Sequence, residues 1–123
     1  KNTNDTRESA AIYIADKLIE EHANIQVYDP KVSALQMQSD LNYLNSRSES
    51  ENEKYLSSKN NPYKAAEGAH ALAIITEWDE FKFYDWKKIY NSMSKPAYIF
   101  DGRNLLNKSE LEAIGFSYKG IGQ

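Results

Sequence analysis

Two arginines stand where a guanidinium could do chemistry. Arg103 closes the stretch "PAYIFDGRN", in which a short apolar run, Ala97 to Phe100, stops at Asp101 and turns on Gly102. The run reads as a buried strand, and glycine at its end admits conformations closed to other residues and lets a ligand come near the backbone. An arginine just past such a strand presents a planar, permanently charged fork suited to phosphate or sugar oxygens. The competing reading is a surface ion pair with a carboxylate such as Asp101. Arg7 is the second candidate. Asp5-Thr6-Arg7-Glu8 reads as a capping box with Asp5 as N-cap, which puts Arg7 in the first turn of a helix. There the helix dipole disfavours a cation by ~0.3–1 kcal/mol, and an anion bound at the helix end reverses the sign. The competing reading has Arg7 bent to solvent or reaching Asp5.

Other candidates carry less. Asp29 sits at a strand end where dinucleotide folds hold a ribose, but no G-x-G-x-x-G turn precedes it, so a turn or cap ahead of Pro30 is the simpler role. His22 and His70 are too far apart to read as a ligand pair, and no metal site is expected. Trp78, Phe81, Phe83, Tyr84 and Trp86 form an aromatic cluster, read first as core packing, then as an oligomer interface, and last as base stacking.

The elements that must position these residues follow from periodicity. Behind Asp5, the residues Ala11, Ile14, Ala15 and Leu18 recur at helical spacing, which predicts a helix to Glu21 or His22 with Asn24 turning its end. "IQVYDP" is a short strand that Pro30 stops. A weaker amphipathic segment carries Val32, Leu35, Leu41 and Leu44. The polar stretch from Asn45, a variable loop over residues 45–60, reads as a mobile surface insertion with a short edge strand at Tyr55-Leu56. Asn61-Pro62 opens a short helix closed by Gly68. "HALAIIT" is apolar enough for a strand covered on both faces. Asp85 caps "WKKIYNSM", "PAYIFDG" is the next strand, Asn107 and Glu110 form a capping box before "LEAIG", and "FSYKGIG" is the last strand. Strands and helices alternate, so the fold class is α/β: a parallel sheet with helices on both faces, three layers in all. In such sheets ligands bind beyond the carboxyl ends of the strands, here Tyr28-Asp29, Glu77-Trp78 and Asp101-Gly102-Arg103.

Composition narrows the function. The chain has 123 residues, room for one domain, and a net charge of -3, which offers nucleic acid no basic footprint. It has no stretch long and apolar enough for a membrane span and no signal peptide, and is read as cytoplasmic. Cysteine is absent, which excludes disulfides, thiolate zinc sites and a cysteine nucleophile within these residues.

Taken together the motifs resemble the nucleotide-sugar dehydrogenases, most closely the animal-type UDP-glucose 6-dehydrogenases in their C-terminal UDP-binding domain. The resemblance is carried by "KNTNDTRESAAIYIADKL", "IQVYDPKV", "NPYKAAEGAHALAIITEWDEF", "KPAYIFDGRNLL" and "LEAIGFSYKGIG", nearly all of the chain outside residues 45–60. It implies NAD as cofactor and UDP-glucose as substrate, oxidised twice to UDP-glucuronate through intermediates held on a cysteine. It also implies an N-terminal NAD-binding dehydrogenase domain in the same polypeptide and a homo-oligomer. Carried over residue by residue, Arg103 matches the "FDGR" arginine that contacts the nucleotide sugar, and Arg7 matches the arginine of the T-x-D-x-R stretch that reaches NAD. Lys1 falls one place after the family's substrate-holding lysine and takes no role. The catalytic cysteine and the Gly-rich NAD loop belong to parts not in these residues, so the chain alone should be inactive. The family's Rossmann-like order would place its first, central strand upstream of Lys1. The expectation is therefore one domain cut from a longer polypeptide, with a gap between the "IQVYD" and "ALAIIT" strands. The alternatives from other classes are a stand-alone nucleotide-binding module and a pure interaction domain. Exposure of Trp78 and Trp86, with Arg7 and Arg103 tied up in salt bridges, would favour the second.

Overall fold

A computed structural model describes residues 10–76 and 78–120. The capping box at Asp5 to Glu8, Arg7, Lys1 and Glu77 lie outside the described residues. The chain forms two compact units that meet in sequence at Ala65 and Ala66.

The first unit comprises α1 (Ala10–Glu20), β1 (Ile25–Val27), α2 (Ala34–Tyr43), α3 (Glu49–Tyr55) and β2 (Leu56–Ser58), and α4 (Pro62–Ala66) leads out of it. β1 and β2 are parallel, in register from Ile25 opposite Leu56 to Val27 opposite Ser58. Its core joins Ala15 and Ile19 of α1, Val32, Met37 and Leu41 of the α2 region, and Leu56. Three expectations are corrected here. The buried stripe of α1 is Ile12, Ala15, Asp16 and Ile19, one position round from the expected one, leaving Ile14 and Leu18 exposed. Asp16 is drawn inward by a charged partner described below, and the helix turns with it. Leu35 is 84% exposed, because it sits about 200° round the helix from Met37, which heads the buried face with Asp40 and Leu41. His22, at φ 67, ends α1 in place of Asn24, with its N–H and that of Ala23 donating to the Ile19 and Leu18 carbonyls.

The polar stretch 45–60 differs most from its reading as a loop. It holds α3 and β2, and Asn52 and Leu56 are buried. Ser48 caps α3 by accepting from the Glu51 N–H at 3.2 Å. Arg47 is the reason the segment lies down. Its Nη2 pairs with Asp16 Oδ1 at 3.0 Å and donates to the Asp16 carbonyl at 3.0 Å, while Nη1 donates to Asn52 Oδ1 at 2.8 Å. Asn52 passes the bond on to Asn42 Oδ1 at 2.6 Å, and the Ser46 hydroxyl donates to Asp16 Oδ2 at 3.0 Å. Charge complementarity inside the unit thus does what hydrophobicity could not do for so polar a sequence.

The second unit comprises β3 (Ala71–Ile74), a 3-10 helix over Asp79–Phe83, α5 (Trp86–Ser92), β4 (Tyr98–Asp101), α6 (Lys108–Ile114) and β5 (Ser117–Gly120). Its sheet is parallel in the order β3-β4-β5, with Ala71 opposite Tyr98 and Tyr98 opposite Ser117. The strands are joined by helical crossovers, as parallel neighbours require. Alternation places Ile74, Ile99, Asp101 and Tyr118 on the buried face, with Ile89 of α5 and Leu111 of α6 also buried. The opposite face carries Ala73, Tyr98 and Phe100, with Tyr98 41% and Phe100 50% exposed. Among the described residues this sheet is therefore covered on one face, where the apolar sequence of β3 suggested two. The chain is α/β with parallel strands and packed helices, and among the described residues no ladder joins β1 to β3.

Candidate functional site

The local chemistry that shapes the second unit is legible cap by cap. Asp85 accepts from the Lys88 N–H at 3.1 Å and Asn107 from the Glu110 N–H at 3.0 Å, so α5 and α6 start where their side chains can satisfy orphan donors. At the start of α4, Asn61 accepts from the Tyr63 N–H at 2.8 Å, and Gly68, at φ 72, closes the turn that follows. These stops leave β4 free to end on Asp101 at the carboxyl edge of the sheet.

Beyond that edge the chain is held tightly. The Gly102 N–H donates to the Ile74 carbonyl at 2.8 Å. A Cβ on residue 102 would meet that same oxygen at 3.0 Å, so glycine is what permits the close approach of the turn to β3. Asn104, at φ 52, completes the reversal. Asp101 is 1% exposed. Its Oδ1 accepts from the Arg103 N–H at 3.1 Å, and its Oδ2 accepts from the Leu106 N–H at 2.8 Å and from the Tyr118 hydroxyl at 2.8 Å. Burial alone would raise the Asp101 carboxyl, but the donors of Leu106, Leu105, Tyr118 and Arg103 together outweigh it and hold the group below the usual carboxylate range. The Tyr118 hydroxyl is pushed up to about 12, by burial first and then by the Asp101 carboxylate it serves. Both groups keep their bonding forms throughout the neutral range.

The consequence for Arg103 is direct. Asp101 is no surface carboxylate: its oxygens are occupied in fixing the backbone from which Arg103 projects, and the Arg103 side chain is exposed. An arginine at the carboxyl end of a parallel sheet carries a charge and a fork of donors suited to an anion. Tyr118 is the member of this arrangement that the sequence reading missed. Its signal was the alternation in "FSYKG", which sends a phenol rather than an aliphatic side chain to the buried face of β5.

The remaining candidates fall to simpler roles. Asp29 accepts from the Lys31 N–H at 2.8 Å, a turn ahead of the helix. His22 ends α1, and His70 is exposed beside β3. Among the described residues no cluster of His, Cys, Asp or Glu could hold a metal ion. The aromatic cluster is mostly packing. Trp78 and Phe81 are buried, Trp86 Nε1 donates to the Phe81 carbonyl at 3.1 Å, and Trp86 and Tyr90 meet Phe116 edge-on at 6.2 and 5.1 Å, whereas Phe83 is exposed. The exposure of Trp78 and Trp86 that would favour an interaction domain is not observed.

Residues 1–108 match the sequence pattern of the UDP-glucose/GDP-mannose dehydrogenase family, UDP binding domain. The chain is 48% identical over 122 residues to a UDP-glucose 6-dehydrogenase of Caenorhabditis elegans, covering 99% of this chain and 25% of that protein. It is 48% identical over 124 residues to the enzyme of the same name from Drosophila melanogaster, covering 100% of this chain and 26% of that protein. The chain thus spans about a quarter of the length of the curated relatives it matches. In fold it is similar to a UDP-D-ManNAc dehydrogenase from Pyrococcus horikoshii, with a TM-score of 0.50 at 22% identity, covering 90% of this chain and 30% of that one.

Proposed function

Because the chain belongs to the UDP-glucose/GDP-mannose dehydrogenase family, as its UDP-binding domain, we propose that it is the nucleotide-sugar-binding part of a longer NAD-dependent enzyme. That enzyme oxidises UDP-glucose twice to UDP-glucuronate. In this reading the domain binds and orients substrate, and bond-making falls to an N-terminal dehydrogenase domain of the same polypeptide. The absence of cysteine supports that division, since a covalent thiol intermediate cannot form on these residues. Orientation and exclusion of water contribute much of an enzyme's rate, so a domain without reactive groups still governs turnover.

The observation that carries the reading is the placement of Arg103 on the pinned Asp101-Gly102 turn at the carboxyl end of β4. There its guanidinium would hold diphosphate or sugar oxygens. NAD, which accepts hydride in such enzymes, finds no Gly-rich phosphate turn in this sequence. The chain is therefore no dinucleotide site by itself, and the cofactor belongs to the partner domain with Arg7 reaching it. Rossmann-like layering, with a further strand supplied by the longer polypeptide, is part of this proposal, and the open edges of β1 and β3, each of which carries a ladder on one edge only among the described residues, support it. No described helix is long and apolar enough to cross a membrane. A cytoplasmic homo-oligomer completes the proposal.

Steady-state kinetics of the full-length protein test it. Losing a charge-assisted contact of ~1.5–3 kcal/mol raises KM by about 10- to 100-fold. Arg103→Ala should do this for UDP-glucose and leave NAD untouched. Arg7→Ala should do it for NAD. An Arg103→Ala variant with unaltered KM for UDP-glucose would overturn the assignment.

A further inference from the structure

The Asp101 carboxylate is surrounded by donors of two kinds. The Arg103 and Leu106 N–H groups belong to the turn itself, while the Tyr118 hydroxyl comes from β5, the neighbouring strand of the rigid sheet. The loop donors can fold the turn around the carboxylate, but they move with the turn. The backbone is already tied to β3 by the Gly102 N–H to Ile74 bond, and among the described residues the phenol is the side chain that ties the carboxylate itself to β5. Tyr118 is 7% exposed, so its hydroxyl is a buried polar group that needs a partner, and its acceptor is charged, the stronger class of hydrogen bond. A residue there for packing alone would do as well without the oxygen.

We propose that Tyr118 is a positioning residue for substrate recognition: its hydroxyl, from β5, holds the Asp101 carboxylate in the orientation that accepts the Arg103 and Leu106 N–H groups, and so favours the form of the 101–106 turn that presents the Arg103 guanidinium to the oxygens of a nucleotide sugar. This rests on the reading of Arg103 as a substrate contact. Tyr118 itself touches no ligand. Its effect is to remove alternative turn conformations, so that binding pays less to order the arginine.

Four variants of the full-length protein decide it, three single and one double, each measured by KM for UDP-glucose and for NAD and by kcat. Tyr118→Phe keeps the ring and removes one oxygen. It should raise KM for UDP-glucose about 5- to 20-fold, with KM for NAD and kcat changed less than about twofold, the pattern of lost uniform binding. Arg103→Ala should raise KM for UDP-glucose further, and adding Tyr118→Phe to it should change nothing more, because the phenol acts through the arginine. Leu106→Pro removes a loop donor to the same carboxylate at a half-buried position, and it should also raise KM for UDP-glucose selectively. It decides the matter should Tyr118→Phe fail to fold. If Arg103→Ala weakens UDP-glucose while Tyr118→Phe and Leu106→Pro do not, the positioning role is wrong and the site reading stands. Effects of Tyr118→Phe and Arg103→Ala that multiply would overturn it likewise. If Arg103→Ala has no effect, the site reading fails and this inference with it.

Discussion

Replacing Arg47 by alanine should cost the chain far more stability than its place in a polar, serine-rich stretch suggests. The side chains of Arg47 and Asp16 are each only 9% exposed, and they meet at 3.0 Å. Asp16 Oδ1 makes that charge contact without an aligned hydrogen bond, so its compensation comes from the guanidinium's proximity. Truncation strands the buried carboxylate, leaves Asn52 Oδ1 without its donor at 2.8 Å, and frees the start of α3. Breaking a buried pair by removing one partner costs ~3–5 kcal/mol, and the sharing of Asp16 with Ser46 at 3.0 Å favours the lower end. We expect about 3 kcal/mol for Arg47→Ala, and about half that for Arg47→Lys, which keeps the charge and loses the fork. Urea unfolding followed by circular dichroism at constant m reads the difference as a midpoint shift. Repeating it at high salt separates this pair from an exposed one, which salt would screen. A loss below ~1 kcal/mol, or one that disappears in salt, would show that Arg47 behaves as a surface residue and that α3 is held by other means.

Gly115→Ala should destabilise by about 2 kcal/mol in the same assay, since residue 115 sits at φ 133 and its Cβ would come 2.6 Å from the Tyr90 ring. Asn107→Ala should cost ~1 kcal/mol through the lost cap of α6. Asp101 is depressed in the folded chain, so its stabilisation is complete above the unfolded carboxyl value of about 4 and is lost as pH falls below it. Asp101→Asn should therefore flatten the acid limb of stability against pH, and an unchanged limb would refute the hydrogen-bond count. Amide exchange of β1 and β3 should slow in the full-length protein relative to this chain if an upstream strand pairs with both.

What the sequence revealed was local, and what it hid was collective. Asp85, Asn107 and Asn61 cap their helices as read, because a short polar side chain reaches its own backbone whatever the rest of the chain does. The strand ending at Asp101 and the turn on Gly102 were equally plain from an apolar run meeting Asp-Gly. The α3 segment was lost because polarity was equated with solvent, although Ser48 and Glu51 stand at capping spacing and Arg47 and Asp16 complement each other across 31 positions. No window of sequence shows that pairing. The same holds for Tyr118 and Asp101, 17 residues apart. Leu35 and Ile14 show the converse error, apolar residues placed inside by type when helical phase puts them out.

The most direct measurement is a calorimetric titration of UDP-glucose into the full-length protein and into its Arg103→Ala variant. The dissociation constant should rise by about tenfold or more in the variant, with folding unchanged. Equal affinity in the two proteins would contradict the central claim that the turn beyond β4 exists to present Arg103 to the nucleotide sugar.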